Sequence, residues 1–508
     1  MLKKSGLGGL FAQKSVHPLA DPRELRRVLG EVPRDNAFSA LESLSSTLQS
    51  LAEGHDLALE RLFEILAALE DAALPHLERL SREYLHGPRL SRAEEKRLWT
   101  INISYWRLLA QAYDTCLSSC FVEGRPSPAV RECLPELAVR MIGAHGAVLK
   151  WEHFQNGCGT NAIWKRLGYA LLACLRERCA NDAVRLPGMS RATSPLEAYD
   201  QVMVLHTASL DSLRPQEIEL AERLLNYFLP RFGCTSKALH DSLYWVDLKL
   251  AQPPLRLAKR PEKATATQRF FKPDAAHEVM VSLFKRIERG EQLPEDIHLG
   301  YTYPVAILRS VMRHLVTYLS PTPPLREHPR HRVRHQMKVL AGFANAQLIF
   351  SGHSDLRGVE DWQVEDVSLG GFGVVQKAAP GEGVKVGCLL SMQPAGGENW
   401  LPGVVRRMRR TSDEKAHLGI MLLSRQAKPA LLYAYPTASP NLQPGNHVLM
   451  LDPEDAEIQR VLASPAAVSS GGAQEYQRAG RRYLLEPQSV LEQTGDYVLV
   501  RYRQSLLA

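Results

Sequence analysis

Two short motifs in the second half of the chain carry residue types suited to binding phosphates and purine rings. The first is an R-x-x-x-R pair, Arg330 and Arg334, and the second is a D-x-S-x-x-G motif with Asp366, Ser368 and Gly371. The planar fork of arginine pairs with phosphate oxygens or with the O6/N7 edge of guanine, and its face stacks on purines. A carboxylate and a hydroxyl add hydrogen-bonding groups of complementary kinds.

The segment around the arginines is strongly basic. Residues 326–338 contain four arginines, one lysine and three histidines against a single acid, Glu327. Taken alone, such a segment favours a solvated basic linker that binds no nucleotide, or one that contacts RNA or an anionic membrane. Arg326 and Arg330 form an overlapping R-x-x-x-R, but Arg330 and Arg334 adjoin the first apolar stretch and are the preferred pair.

Together, in this order and followed by glycine-punctuated strands, the two motifs resemble a PilZ domain, the cyclic di-GMP receptor family. The resemblance covers about residues 326–428, and residues 418–421 resemble the closing strand of that barrel. It implies a six-stranded β-barrel with cyclic di-GMP as its ligand. It also implies a mobile arginine segment that wraps the ligand, while the aspartate and serine come from the barrel. The implied ligand-binding residues are Arg330, Arg334, Asp366, Ser368 and Gly371.

The residue types suit that ligand. Asp366 can accept hydrogen bonds from guanine N1–H and from the exocyclic amine, and Ser368 can donate or accept. Gly370 and Gly371 allow the backbone to approach the ligand closely. Trp362, just before the second motif, is a further candidate to line the site. The long stretch between the motifs departs from the family pattern, and a longer first hairpin would absorb it.

The first three fifths of the chain predict helices. Asp21 before Pro22, and Ser91 with Glu94, are helix-start signals. One buried stripe follows the helical period, with apolar residues at spacings of three and four: Phe38, Leu41, Leu44, Leu48 and Leu51. No repeat of fixed period is evident, so we expect a helical bundle or an irregular solenoid.

The fold class predicted is α+β and multidomain, with a large N-terminal all-α domain, a six-stranded PilZ-like β-barrel and a strand-rich C-terminal extension. The expected strands of the barrel region are 347–350, 372–375, 384–392, 403–408 and 418–423, and those of the extension are 447–451, 482–486 and 497–502. The predicted divisions are a flexible leader at 1–20, the helical domain at 21–320, a Pro/Arg-rich linker at 321–338, the barrel at 339–430 and the extension at 439–508.

Composition narrows the classes of function. The 508 residues carry a net charge of only +7, which is too mild to predict a DNA-binding protein. No window approaches 18 uncharged apolar residues, so no transmembrane helix is expected and the protein is predicted to be cytoplasmic. The eight cysteines form no C-x-x-C pair and are expected to be reduced core residues.

An enzymatic alternative rests on two adjacent His-Asp pairs, His55-Asp56 and His240-Asp241. Such pairs supply metal ligands in HD-type phosphohydrolases, but the additional ligands that this chemistry needs are not evident. Signatures of cyclic di-GMP synthesis or breakdown are also absent from the sequence. No enzyme activity, metal or cofactor is therefore expected.

Two interpretations from different classes remain. In the first, cyclic di-GMP orders the arginine segment, and the helical domain relays the signal to a protein partner in motility, pili, biofilm formation or secretion. In the second, the barrel is a ligand-independent adaptor for another protein. The presence of both motifs favours the first interpretation.

Overall fold

The computed structural model describes most of the chain: residues 17–52, 57–87, 90–122, 126–157, 159–189, 191–258, 263–324, 328–353, 357–377, 384–412, 415–435, 445–453, 455, 457–468 and 472–507. These residues form two compact units. The first takes in the described residues of 1–155, 159–210 and 215–324, and the second those of 156–158, 211–214 and 325–508.

Ten α-helices of the described chain belong to the first unit. They are α1 (Pro22–Glu31), α2 (Ala37–Leu51), α3 (Leu59–His86), α4 (Arg92–Ser119), α5 (Pro128–Phe154), α6 (Asn161–Glu177), α7 (Pro195–Thr207), α8 (Pro215–Phe228), α9 (Asp274–Glu288) and α10 (Val305–Tyr318). None of the helices in these described segments is both long enough and apolar enough to cross a bilayer.

Helix starts follow the signals in the sequence. The Asp21 side chain accepts a hydrogen bond from the Arg23 N–H, which caps α1 ahead of Pro22. Ser91 and Glu94 form a reciprocal capping box at the start of α4. The apolar stripe on α2 faces the core, because three of its leucines are almost completely buried: Leu41, Leu44 and Leu48. The predicted helical domain is confirmed in these features.

The first unit is not entirely helical, which corrects the prediction for residues 21–320. A four-stranded antiparallel sheet, in the order β1-β4-β2-β3, lies between α8 and α9 in the chain. Its strands are β1 (Gly233–Thr235), β2 (Tyr244–Asp247), β3 (Leu255–Arg256) and β4 (Gln268–Lys272). Strands of two to five residues are too short to show a recognisable alternation, and Phe270 and Phe271 are both buried.

The second unit begins with a closed six-stranded antiparallel barrel in the order β10-β7-β6-β5-β8-β9. Its strands are β5 (His331–Ala341), β6 (Glu360–Ser368), β7 (Gly371–Lys377), β8 (Leu389–Pro394), β9 (Leu401–Ser412) and β10 (Lys415–Leu422). The barrel encloses an apolar core that includes Met337, Trp362 and Leu418. The predicted six-stranded barrel is confirmed.

Two local predictions in this region were wrong. Residues 347–350 are not a strand, because they lie within helix α11 (Phe343–Phe350). This helix, rather than a longer hairpin, takes up part of the extra length between the two motifs. The predicted linker also ends earlier than residue 338, since β5 begins at His331. The first deviation has no local sequence signal, because apolar runs this short suit a helix or a strand equally.

The C-terminal region forms a second closed barrel of six antiparallel strands, in the order β11-β12-β13-β16-β15-β14. Its strands are β11 (Ala427–Ala434), β12 (Asn446–Leu451), β13 (Ile458–Ala463), β14 (Gln474–Arg478), β15 (Arg481–Gln493) and β16 (Val498–Leu506). The extension is therefore a barrel of its own. It starts at Ala427, ahead of the predicted boundary at 439 and inside the range predicted for the first barrel.

The two barrels share one strand topology. When the strands of each barrel are numbered one to six along the chain, both close in the circular order 1-2-3-6-5-4. All twelve pairings are antiparallel. The C-terminal barrel is thus a topological copy of the first, although no sequence repeat marked it.

An apolar layer joins the barrels. Leu389 and Val404 from the first barrel cluster with Leu449 and Leu499 from the second, and Phe343 of α11 belongs to the same cluster. Polar contacts add to this layer. The Asp496 carboxylate accepts hydrogen bonds from the backbone N–H groups of Phe343 and Leu389, each at 2.9 Å. The second unit is therefore built as a fused pair of barrels.

Candidate functional site

Strand pairing brings the two sequence motifs together. The start of β5 lies antiparallel to the end of β6, with His331 opposite Val367 and Arg332 opposite Asp366. The R-x-x-x-R and D-x-S-x-x-G motifs are more than thirty residues apart in the chain, yet they share one end of the barrel. We define the candidate site as this end, formed by the start of β5, the end of β6 and the start of β7.

Arg330 and Asp366 form an ion pair at the centre of the site. The Arg330 Nη1 atom lies 3.0 Å from each carboxylate oxygen of Asp366, but the geometry of a hydrogen bond is met only at Oδ2. The other oxygen, Oδ1, is buried and accepts no hydrogen bond from the described residues. A buried acceptor without a donor is costly, and a ligand N–H would satisfy it.

Gly373 on β7 makes room for the Asp366 carboxylate. The two residues are directly opposite each other across β6 and β7. A Cβ atom at Gly373 would lie 2.6–2.7 Å from the carboxyl atoms of Asp366, closer than real Cβ contacts occur. The sequence analysis missed this residue. The signal was the Gly-Phe-Gly alternation at 371–373, which places two small residues on the same face of a strand.

Ser368 and Gly371 close the turn between β6 and β7. The Ser368 hydroxyl donates a hydrogen bond of 3.3 Å to the carbonyl oxygen of Gly371, so it is not directed at open space. A Cβ atom at Gly371 would lie 1.9 Å from the carbonyl oxygen of Ile420 on β10. Glycine at this position is therefore required by the close approach of two backbones, in addition to any role in ligand binding.

Arg334 lies on the exposed part of β5, within an irregularity of the pairing between Arg332 and His335. Such bulges change the direction of a side chain relative to the regular strand. Arg334 makes no ion pair or hydrogen bond with the described residues and is available to a ligand. Arg326, the alternative first arginine, lies outside the described residues.

The chain just before Arg330 covers the turn of the second motif. The His328 ring lies 3.5 Å from the Cβ position of Gly370. Between Ser368 and Gly370, Leu369 exposes 68% of its surface. An aliphatic side chain beside the arginines offers a surface on which a purine could pack.

Two further side chains do not belong to the site. Trp362 is 2% exposed within the core of the first barrel, where its indole N–H donates a hydrogen bond of 2.6 Å to Glu360. Arg406, in the basic patch on β9, pairs with Glu492 of the second barrel at 2.5 Å. Trp362 therefore packs in the barrel core, and Arg406 pairs with an acid of the other barrel.

The described residues contain no cluster of three or more histidines, cysteines, aspartates or glutamates that could hold a metal ion. His240 is exposed, and its partner Asp241 forms an ion pair with Lys272 at 2.9 Å. Lys272 lowers the pKa of Asp241, chiefly through this hydrogen bond. The other pair, His55-Asp56, lies outside the described residues. The enzymatic alternative therefore gains no support from His240 and Asp241.

Comparison with known protein families gives two matches. Residues 351–429 match the model of the middle PilZ domain of the cyclic-di-GMP receptor FimW, and residues 23–238 match the model of the N-terminal domain of the same receptor. The first barrel is accordingly a PilZ domain, as the motifs predicted. No curated protein matches the chain.

Together the two matches span more than half of the 508 residues. Both models describe domains of the same receptor. The PilZ match includes Asp366, Ser368 and Gly371 but begins after Arg330 and Arg334. Most of the helical region, for which the sequence analysis found no resemblance, thus matches a domain of that same receptor.

Proposed function

We propose that this protein is a cyclic di-GMP receptor that binds the messenger at the candidate site and relays it to a protein partner through the helical domain. The observation that carries this proposal is the buried Oδ1 atom of Asp366, which accepts no hydrogen bond from the described residues and lies beside Arg330. The family matches support it, because the models describe domains of a cyclic-di-GMP receptor.

The chemistry of the ligand suits the geometry. Guanine N1–H and its exocyclic amine are donors that Asp366 Oδ1 can accept. Arg334, exposed on β5, and Arg330 can pair with phosphate oxygens or with guanine O6 and N7. The protein acts in this proposal as a receptor without catalytic activity of its own, in the cytoplasm, where it requires no cofactor.

Calorimetric titration of the full chain with cyclic di-GMP tests the proposal, with GTP and cyclic di-AMP as controls. We expect selective binding with a dissociation constant in the micromolar range or tighter, since several charge-assisted contacts are available. Equal binding of the three nucleotides would indicate a non-specific basic surface. Absence of binding would favour the ligand-independent adaptor.

Arg334→Ala should weaken binding of cyclic di-GMP at least tenfold, because it removes a charge-assisted contact from a side chain with no structural partner. Arg357→Ala is the matched control. Arg357 is also exposed on the first barrel, but it precedes β6 at the end opposite Asp366. Unchanged affinity in the Arg334 variant, measured in the same titration, would remove Arg334 from the site.

A further inference from the structure

A cleft of about 270 Å³ opens among the helices of the first unit. Helices α3, α4, α5 and α8 line it, together with the segment between α9 and α10 that carries Tyr301 and Tyr303. An engineered cavity of about 150 Å³ is large enough to bind benzene. This cleft therefore has room for a ring system larger than benzene.

Aromatic rings form much of the wall. The ring of Tyr301 stacks on that of His86, with centroids 3.6 Å apart and planes 16° apart, and Tyr303 meets His86 edge-on at 5.5 Å. Trp106 and Trp151 line the cleft as well. Tyr301 is 43% exposed, so one aromatic wall remains open to solvent. A planar guest could pack against this wall.

Three charged side chains of the lining, Lys150, Glu219 and Arg223, form one ionic network. Lys150 Nζ lies 2.9 Å from Glu219 and 2.5 Å from Glu222, and Arg223 Nε lies 3.0 Å from the other oxygen of Glu219. Burial opposes ionisation of Glu219, but Lys150 and Arg223 outweigh it and hold the pKa of this carboxyl at about 2. Because Lys150, Arg223 and the two glutamates already neutralise one another, these side chains disfavour an ionic guest.

A buried polar atom in the lining has no hydrogen-bond partner among the described residues. Asn102 is completely buried, and its Nδ2 donates a hydrogen bond of 2.8 Å to the carbonyl oxygen of Leu98. Its Oδ1 accepts no hydrogen bond from the described residues, although the side chain lines the cleft. A guest with an N–H or O–H group would supply the missing donor.

We infer that this cleft binds an aromatic ring carrying a hydrogen-bond donor, of the indole or phenol type. The ring packs against the aromatic wall and its donor reaches Asn102 Oδ1. Tryptophan or tyrosine side chains of a partner protein have this chemistry, and so do free indoles and phenols. The site is separate from the candidate site of the barrel, and its test needs no nucleotide.

The test uses indole as the probe and benzofuran as its matched control, because benzofuran has nearly the same shape but lacks the N–H. Binding to the full chain is measured by saturation-transfer NMR and competition. We expect indole to bind at least about fivefold more tightly, since benzofuran leaves the buried acceptor unpaired. Equal affinities, or no binding of indole, would overturn the inference.

Two variants locate the binding. Asn102→Leu should abolish the preference for indole over benzofuran, while an apolar side chain of similar size preserves the fold. Tyr301→Ala should weaken both probes by removing an exposed wall. Tyr169→Ala is the control, because Tyr169 is similarly exposed, at 36%, but lies on α6 outside the cleft lining. The assignment is contradicted if Asn102→Leu still prefers indole over benzofuran and Tyr301→Ala still binds both probes with native affinity.

A third comparison distinguishes the two sources of the ring. The peptide Gly-Trp-Gly is titrated beside free indole. Binding of the peptide at least as tightly as indole indicates a side chain of a partner protein, because the cleft then tolerates the main chain. Binding of indole alone indicates a free small molecule. Binding of neither probe would refute the proposed chemistry.

Discussion

At the residue scale, the candidate site depends on a glycine that binds nothing. Asp366 can keep its carboxylate beside Arg330 because the residue opposite it on β7, Gly373, has no side chain. The carboxylate occupies the space where a Cβ atom would be. A position that contacts no ligand can therefore control the geometry of one that does.

Gly373→Ala should lower the affinity for cyclic di-GMP about as much as Asp366→Ala does, because the added methyl group displaces the carboxylate. Gly419→Ala is the control, since Gly419 pairs with Gly373 on the next strand but has only ordinary contacts around its Cβ position. Titration of both variants checks this, with circular dichroism to confirm folding. Unaltered binding by Gly373→Ala would mean that the carboxylate position is unimportant.

A second residue-scale effect concerns Asp200, which is buried in the first unit. Burial raises its pKa to about 7, against a weaker opposing effect of a hydrogen bond with Cys234. The folded protein therefore holds a proton that the unfolded chain releases near pH 4. The stability contributed by this proton is complete below about pH 4 and is lost as the pH rises to about 7.

Asp200→Asn should remove this dependence, because the amide cannot titrate. The difference in the free energy of unfolding between the variant and the native protein should rise in favour of the variant from pH 4 to pH 7, by up to about 4 kcal/mol. Above pH 7 this difference should stay constant. Denaturant unfolding from pH 5 to pH 8 measures the difference. A constant difference across this range would show that Asp200 does not bind the proton in the folded state.

At the scale of elements, a buried ionic network joins three helices. Arg140 on α5 is 3% exposed and lies 2.9 Å from both Glu70 and Asp71 on α3. Tyr113 on α4 donates a hydrogen bond of 2.5 Å to Glu70. Burial raises the pKa of Glu70, and the nearby Arg140 only partly opposes this effect. The ion pair is therefore set against a large cost of desolvating its charges.

Arg140→Met should destabilise the first unit by about 3–5 kcal/mol, because it leaves Glu70 buried without its counter-charge. The double variant with Glu70→Leu should recover much of the loss, since apolar groups of similar volume then replace the pair. Thermal unfolding of both single variants and the double variant forms a cycle that measures the coupling. Additive effects would indicate that the two residues do not interact.

At the scale of the whole molecule, two barrels of one topology differ in their chemistry. The comparison is between the first two strands of each barrel, at the second pair of facing residues. In the first barrel this pair is Arg332 on β5 and Asp366 on β6, whereas in the second barrel it is Lys428 on β11 and Met450 on β12. Met450 is an apolar residue of the core cluster and offers no acceptor. At this register position the second barrel thus has an apolar side chain where the first barrel has Asp366.

We therefore expect all high-affinity cyclic di-GMP binding to occur at the first barrel. A variant that combines Arg334→Ala with Asp366→Ala should abolish saturable binding completely, although the second barrel stays intact. Titration to high ligand concentration, with unfolding measurements as a control for structure, checks this. If the variant still bound cyclic di-GMP saturably, with about half of the native stoichiometry, a second site would lie in the C-terminal barrel.

Much of the functional hypothesis could be predicted from the sequence because it depends on local features. The residue types and order of the motifs around Arg330 and Asp366 indicated the PilZ domain, which the family match and the barrel confirmed. The helices of the first unit were predictable as well, because caps such as Ser91 and stripes such as Leu41 to Leu48 are local patterns. The ligand residues themselves remain predictions.

The tertiary structure decided what depends on residues distant in the chain. It decided that Gly373 accommodates Asp366, that α11 replaces an expected strand, and that the C-terminal extension closes into a second barrel. It also decided that Asn102 lines a cleft and that its Oδ1 atom accepts no hydrogen bond from the described residues. Strand pairing, burial and cross-strand contacts arise only when separate segments meet, so a local pattern such as the Gly-Phe-Gly of residues 371–373 marks a small residue but not the partner that it accommodates.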